Sequence, residues 1–216
     1  MKVNKQKEFW LSSFAKKYLD RNLLDPQQLD KSYKQKYGIS RNKMNVDFVG
    51  NFKKDIKILE VGCNFGVQLL SLSKLGFENL YGIEINPKIV EFSRKKANFL
   101  NIIVGDAFNI PFKDGYFDLV FTSGLLIHIS PKNIAKVISE IYRVSKKFIW
   151  CFEYFSENYT EIEYWGHREV LWKANYCKIF LEKFKNLKLV KFKEFPYLNN
   201  DIHDQNKDIM FLLKKQ

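Results

Sequence analysis

The 216-residue sequence predicts an α/β fold: an open, seven-stranded, mostly parallel sheet with helices on both faces, an antiparallel C-terminal strand and an N-terminal helical extension. Three observations predict it. From Ile56 onward, short runs rich in Val, Ile, Leu and Phe alternate with stretches of helical length, the pattern of βαβ units. Those runs are continuous rather than alternating, as in KILEV and FDLVF, so each strand is covered on both faces. The last two runs, KLVKFKEF and DIMFLLKK, follow one another without room for a crossover helix, so the sheet ends in an antiparallel, hairpin-like pair.

The elements follow in order. Residues 1–54 lack the alternation and read as an extension; residues 55–216 read as the α/β domain. Within the extension, Phe9/Trp10, Phe14, Tyr18 and Leu24 recur at helical spacing and predict an amphipathic helix. It is a candidate lid that brings Trp10, Tyr18 or Arg21 over a site. Then come the strand KILEV, the helix VQLLSLSKLG, the strand NLYGIEI and a helix opening at Pro87, where proline suits the first helical turn. The strands NIIVGDA and FDLVFTS follow, then a helix from about Pro131 to Val144, the strand FIWCFEYF and a helix from about Val170 to Phe184. The two terminal strands close the list, with His203 in a solvated loop between them.

Composition limits the partners. Lys+Arg 36 against Asp+Glu 24 gives a formal charge of +12, which invites an anionic partner without choosing one. Cys63, Cys151 and Cys177 are odd in number and form no CxxC pair, so neither a disulfide framework nor a zinc site is expected, and a reducing cytoplasm is. MKVNKQKEFW carries no apolar h-region, and no run approaches the length of a membrane span, so a soluble, unanchored protein is expected.

Ligands of open α/β sheets bind beyond the carboxyl ends of the strands, so the turns there carry the functional signal. The first strand runs into Glu60-Val61-Gly62-Cys63-Asn64-Phe65-Gly66, a glycine-rich turn in which Gly62 turns the chain and Gly66 lets helix and strand pack closely. The second ends in Glu84-Ile85-Asn86-Pro87, an acid placed about twenty residues on, where it can hold both hydroxyls of a ribose. The third ends in Gly105-Asp106-Ala107-Phe108, and the fourth in Thr122-Ser123-Gly124, leading to His128.

In order and spacing, EVGCNFG, GIEINP, GDAFNIPF, FDLVF and IHI resemble the class I S-adenosylmethionine-dependent methyltransferases, whose sheet is Rossmann-like. The resemblance implies S-adenosyl-L-methionine as cofactor. Glu60 and the turn Gly62, Cys63, Asn64 and Gly66 are implied to hold its methionine part, Glu84 and Ile85 the ribose, Asp106 and Ala107 the adenine. Thr122 and Ser123 are implied to border the methyl-donor site, with His128 on the acceptor side as candidate base. The fourth strand ends without a carboxylate for Mg²⁺, so metal-dependent transfer is disfavoured.

A narrower resemblance spans nearly the whole chain. EFWLSSFAKKYLDRN, DLVFTSGLLIHISP, IYRVSKKFIWCFEYFS and IEYWGHREVLWKANY are similar to the methylases associated with pseudaminic acid biosynthesis. It implies a small, acidic or nucleotide-activated sugar as acceptor, made for a bacterial surface glycan. Tyr154, Tyr164, His167, Arg168 and Lys173 are the candidate residues for it: Arg168 forks onto a carboxylate or phosphate, Lys173 adds a point charge and the aromatics stack. Two alternatives remain open at this point. One is a nucleic-acid methyltransferase, favoured by the charge but lacking the usual base-amine signature. The other is a cofactor-binding protein without turnover.

Overall fold

A computed structural model describes residues 5–12, 25–199 and 206–216. Phe14, Tyr18, Arg21, Leu24 and His203 lie outside the described residues.

Among the described residues, three helices precede the sheet: α1 Lys5–Leu11, α2 Pro26–Tyr37 and α3 Arg41–Val49. The boundaries of α2 are written in its sequence. Asp25 accepts the N–H groups of Gln27 and Gln28, Gln28 returns a bond to the Asp25 N–H, and Pro26 occupies the first turn. Gly38, at φ +73°, ends the helix in the left-handed conformation. Ser40 then caps α3 by accepting the Lys43 N–H.

The sheet comprises β1 Lys57–Val61, β2 Asn79–Glu84, β3 Asn101–Val104, β4 Phe117–Ser123, β5 Ser145–Tyr154, β8 Leu187–Pro196 and β9 Lys207–Lys215. The short pair β6 Thr160–Glu161 and β7 Trp172–Lys173 stands apart from it. Spatial order is β3-β2-β1-β4-β5-β9-β8. The pairings among β1 to β5 are parallel, and β9 runs antiparallel to both its neighbours, as the absence of a crossover required.

The helices α4 Val67–Lys74, α5 Pro87–Lys96, α6 Ile134–Val144 and α7 Tyr176–Lys183 complete the chain. The helix expected from Pro131 begins at Ile134, after a turn. The helix expected from Val170 is shorter than the sequence suggests. Trp172 and Lys173 pair with β6 as a strand, and Asn175 caps the helix at the Lys178 N–H, so it cannot start before Tyr176.

Neighbouring residues of the central strands feed opposite faces of the sheet, which explains the continuous apolar runs. Val120, Ile149, Cys151 and Phe211 pack on one side with Ile138, Ile141 and Phe180. Leu119, Phe121, Trp150 and Met210 pack on the other with Met44, Phe48 and Leu72. At about 1.5–3 kcal/mol for each large apolar side chain, these two layers dominate the folding free energy. Met44, Phe48 and Val49 are fully or almost fully buried, so α3, within the stretch set apart as an extension, is built into the core. β8 breaks the rule: it is an edge strand, and most of its residues are exposed.

Candidate active site

The carboxyl ends of β1 to β4 open onto one cleft. Its walls include Gly62, Asn64, Glu84, Ile85, Asp106, Ala107, Ser123 and His128, and it holds about 870 Å³ including its open mouth. Residues taken from four separate turns of the sequence thus meet in a single cavity.

Backbone conformation shapes the floor. Gly62 sits at φ +72°, and a Cβ there would lie 2.6 Å from Leu125 Cδ1, so only glycine fits. Asn64 takes φ +51°, which asparagine tolerates. Gly66 does not line the cleft. It starts α4 at φ +79°, and a Cβ there would meet Ile102 Cδ1 at 2.8 Å, so it serves close packing of helix against strand.

Glu84 is buried and fixed by backbone: Oε1 accepts the Asn86 N–H at 2.9 Å and Oε2 the Asn64 N–H at 3.1 Å. Burial raises its pKa, and the hydrogen bonds oppose the shift. Asp106 is held in turn by the Phe108 N–H, which donates to Oδ1 at 2.9 Å.

A second cavity of about 1180 Å³ adjoins the cleft and shares Gly62, Asn64, Ser123, Gly124 and His128 with it. Glu60, Cys63 and Gln68 line it from the side of β1 and α4, Tyr154 and Tyr164 from the opposite side. Among the described residues, Glu60 Oε2, Asn64 Oδ1 and Gln68 Oε1 are buried acceptors without a hydrogen-bond donor. Burial pushes the Glu60 carboxyl well above the usual carboxylate range. Leaving such groups unmet costs about 1–3 kcal/mol each, so the place calls for a ligand rich in donors. An α-ammonium beside Glu60 and ribose hydroxyls on Glu84 meet that demand, and the residues present fit S-adenosylmethionine.

His128 stands between the two cavities. Its Nδ1 lies 2.8 Å from the Val170 carbonyl, which can only accept, so the proton is on Nδ1 and Nε2 keeps its lone pair. Burial lowers its pKa to about 4, so the ring is neutral at physiological pH. A carboxylate behind it positions the segment: Glu153, fully buried, accepts the Leu125 N–H at 3.3 Å and the Ile127 N–H at 3.4 Å. Burial carries Glu153 up to about 7.

α1 covers the cleft. Lys7 forms an ion pair with Asp106 Oδ2, the Trp10 ring packs edge-on against His128 at 4.7 Å, and Asn86 Nδ2 donates to the Trp10 carbonyl at 3.1 Å. Trp10 and Lys7 thus line the cleft from α1, and Lys7 is a contact the sequence did not announce.

The candidate acceptor residues divide. Tyr154 and Tyr164 line the second cavity. His167, Arg168 and Lys173 do not. Trp165 and Glu169, at φ 56° and 60°, mark a surface turn that carries Arg168 outward, where it pairs with Glu163 at 3.8 Å and its side chain is 82% exposed. His167 packs against Phe9 of α1 at 5.2 Å, and Lys173 donates to Asn206. Thr122 is buried beneath the site, whereas Ser123 borders both cavities. Sequence reasoning missed Tyr33, Lys36 and Tyr37 of α2, which line the second cavity, although the capped helix and its aromatic spacing were visible.

Residues 59–148 match a family model described as a methyltransferase domain. Over 99 residues the chain is 35% identical to norajmaline N-methyltransferase of Rauvolfia serpentina, a match covering 43% of this chain and 33% of that protein. It is 34% identical over 109 residues to 24-methylenesterol C-methyltransferase 2 of Arabidopsis thaliana, covering 48% and 29%. The chain thus spans about a third of the length of these curated relatives. Among solved structures, magnesium protoporphyrin IX methyltransferase from Synechocystis PCC 6803, with bound S-adenosylmethionine, superposes over 100% of both chains with a TM-score of 0.66 at 14% identity. A Pyrococcus horikoshii OT3 protein reaches 0.69 at 16% identity over 95% of this chain and 99% of its own. Residues 59–148 are thus similar to a methyltransferase domain, and the strand order and the strand-end cleft agree with that likeness.

Proposed function

We propose that the whole chain is an S-adenosylmethionine-dependent methyltransferase acting on a small acidic or nucleotide-activated, nonulosonic-acid-like sugar of a bacterial surface glycan. Residues 1–54 serve it as lid and extension, and residues 55–216 as the transferase domain. The observation that carries this reading is the shared wall of the two cavities: Ser123, Gly124 and His128 face both the cleft and an adjoining cavity that runs on from Glu60 and Cys63, at the methionine end, to Tyr33, Lys36 and Tyr154, where an acceptor has room.

When bound, S-adenosylmethionine supplies a methyl group already activated on a sulfonium. The protein's part is then alignment and exclusion of water. Glu60, Gly62, Cys63 and Asn64 hold the methionine end, Glu84 and Ile85 the ribose, and Asp106 and Ala107 the adenine. α1 closes over them. Neutral His128 offers Nε2 to the acceptor hydroxyl and takes its proton. With a pKa of about 4 it is a weak base, so its contribution sits at the low end of general-base catalysis, about 100-fold.

The aromatic second cavity and its lysine support a sugar acid, as does the whole-chain resemblance. A nucleic-acid acceptor is not favoured, because the cavity lies under α2 rather than along an open basic groove. A protein that binds cofactor without turnover is not favoured either. The test is methyl transfer to sugar acids and their nucleotide-activated forms, read as production of S-adenosylhomocysteine. No turnover on any of them, with cofactor affinity intact, overturns the acceptor reading.

A further inference from the structure

Helix α2 lies outside the region matched by the family model, yet it builds a wall of the acceptor cavity through Leu29, Ser32, Tyr33, Lys36 and Tyr37. Their spacing puts all five on one helical face. We infer that Tyr33 and Lys36 form a two-point clamp for a carboxylate on the acceptor. The inference rests on the acceptor reading above and names the residues that select it.

Lys36 is held by its helix neighbour Tyr37 and by three other pieces of chain. Its Nζ lies 3.9 Å from the ring centroid of Tyr197, 5.0 Å from Tyr37 and 5.1 Å from Tyr154, and 3.6 Å from Asp208 Oδ2. Asp208 is fully buried, and its oxygens also accept the hydroxyls of Tyr37 and Tyr197. The cage fixes the ammonium without satisfying its three donors, because the single ion pair is long. Among the described residues lining the cavity, Lys36 carries the only cationic side chain, since His128 is neutral.

The second point works through a buried guanidinium. Arg41 is 1% exposed and, among the described residues, has no carboxylate within ion-pair distance. It donates from Nε to Asn45 Oδ1 at 2.9 Å and from Nη1 to the Tyr33 hydroxyl at 3.2 Å. A guanidinium only donates, so the Tyr33 oxygen accepts there and its own O–H proton is left for another partner, and Tyr33 lines the cavity. The charge behind the phenol polarises it into a stronger donor.

One ammonium and one phenolic O–H offer two donor points, matching the two oxygens of a carboxylate.

Calorimetry on the full chain saturated with S-adenosylhomocysteine tests the clamp, with N-acetylneuraminic acid, its methyl ester and glucose 1-phosphate as probes. The acid is expected to bind at least tenfold tighter than the ester. Lys36→Met should abolish that difference, and Tyr33→Phe should weaken the acid three- to tenfold. S-adenosylhomocysteine affinity should stay within twofold in Lys36→Met. Should Lys36→Met fail to fold, Lys36→Gln is expected to show the same loss. Equal binding of acid and ester, full acid affinity in the Lys36 variant, or a preference for the phosphate overturns the clamp. Binding of S-adenosylhomocysteine with none of the three probes overturns the acidic-acceptor reading with it, and failure to bind S-adenosylhomocysteine overturns the methyltransferase reading itself.

Discussion

Glu84 Oε2 accepts the backbone N–H of Asn64 at 3.1 Å, tying the end of β2 to the turn after β1. The carboxylate therefore presents its remaining lone pairs to the cleft in a fixed orientation. Glu84→Ala removes both the ribose partner and this tie, and cofactor affinity is expected to fall by roughly 1.5–3 kcal/mol, the range for hydrogen bonds to a charged group. Calorimetric titration with S-adenosylhomocysteine measures it, and an unchanged Kd removes Glu84 from the cofactor site.

His128→Ala should lower kcat about 100-fold while changing cofactor affinity little. Because burial holds the imidazole pKa to about 4, the ring is already deprotonated at pH 5.5, and wild-type kcat should show no histidine-like inflection between pH 5.5 and 8. A clear inflection near 6.5 that vanishes in the variant would show that His128 titrates in the solvated range instead.

Glu153 couples stability to pH. Its folded pKa of about 7 lies above the ordinary value of 4.5, so the folded state binds the proton more tightly. The stability this group contributes is complete below pH 4.5 and is lost as pH rises through 7, on the order of 3 kcal/mol over the whole window. Glu153→Gln should flatten the fall in urea-unfolding stability between pH 5 and 8. A variant with the wild-type slope assigns that slope to other buried carboxyls, Glu60, Glu84 and Asp208.

In the proposed cofactor pose Lys7 and the adenine amino group compete for one carboxylate, since both Asp106 oxygens are engaged when α1 is docked. Removing the ammonium by Lys7→Ala should tighten cofactor binding about two- to threefold at low salt, in keeping with the ~0.5 kcal/mol of a partly exposed ion pair. The gain should shrink as ionic strength rises. Weaker binding in the variant would mean that Lys7 closes onto the ligand rather than against it.

The mostly parallel sheet, its antiparallel end and the turns that meet at the strand-end cleft were legible in sequence because they depend on local rules. Continuous apolar runs report burial on both faces, and a turn that demands φ above zero selects Gly62 and Gly66 wherever it occurs. The error over Val170–Phe184 has the opposite origin. The Val-Leu-Trp run is apolar because Trp172 faces the core from a short strand, and burial alone cannot distinguish that from a helix.

By itself, the sequence determined the sheet, its two-faced core and the placing of Gly62, Glu84, Asp106 and His128 at the ends of strands. Only the tertiary structure decided which cations line the second cavity. Arg168 and Lys36 are equally charged in the sequence, but a surface turn carries one outward while Tyr37 of its own helix and tyrosines from two other segments enclose the other. The physical reason is range: dihedral preferences and burial periodicity act over a few residues, whereas Lys36 and Asp208 meet only once the sheet has closed.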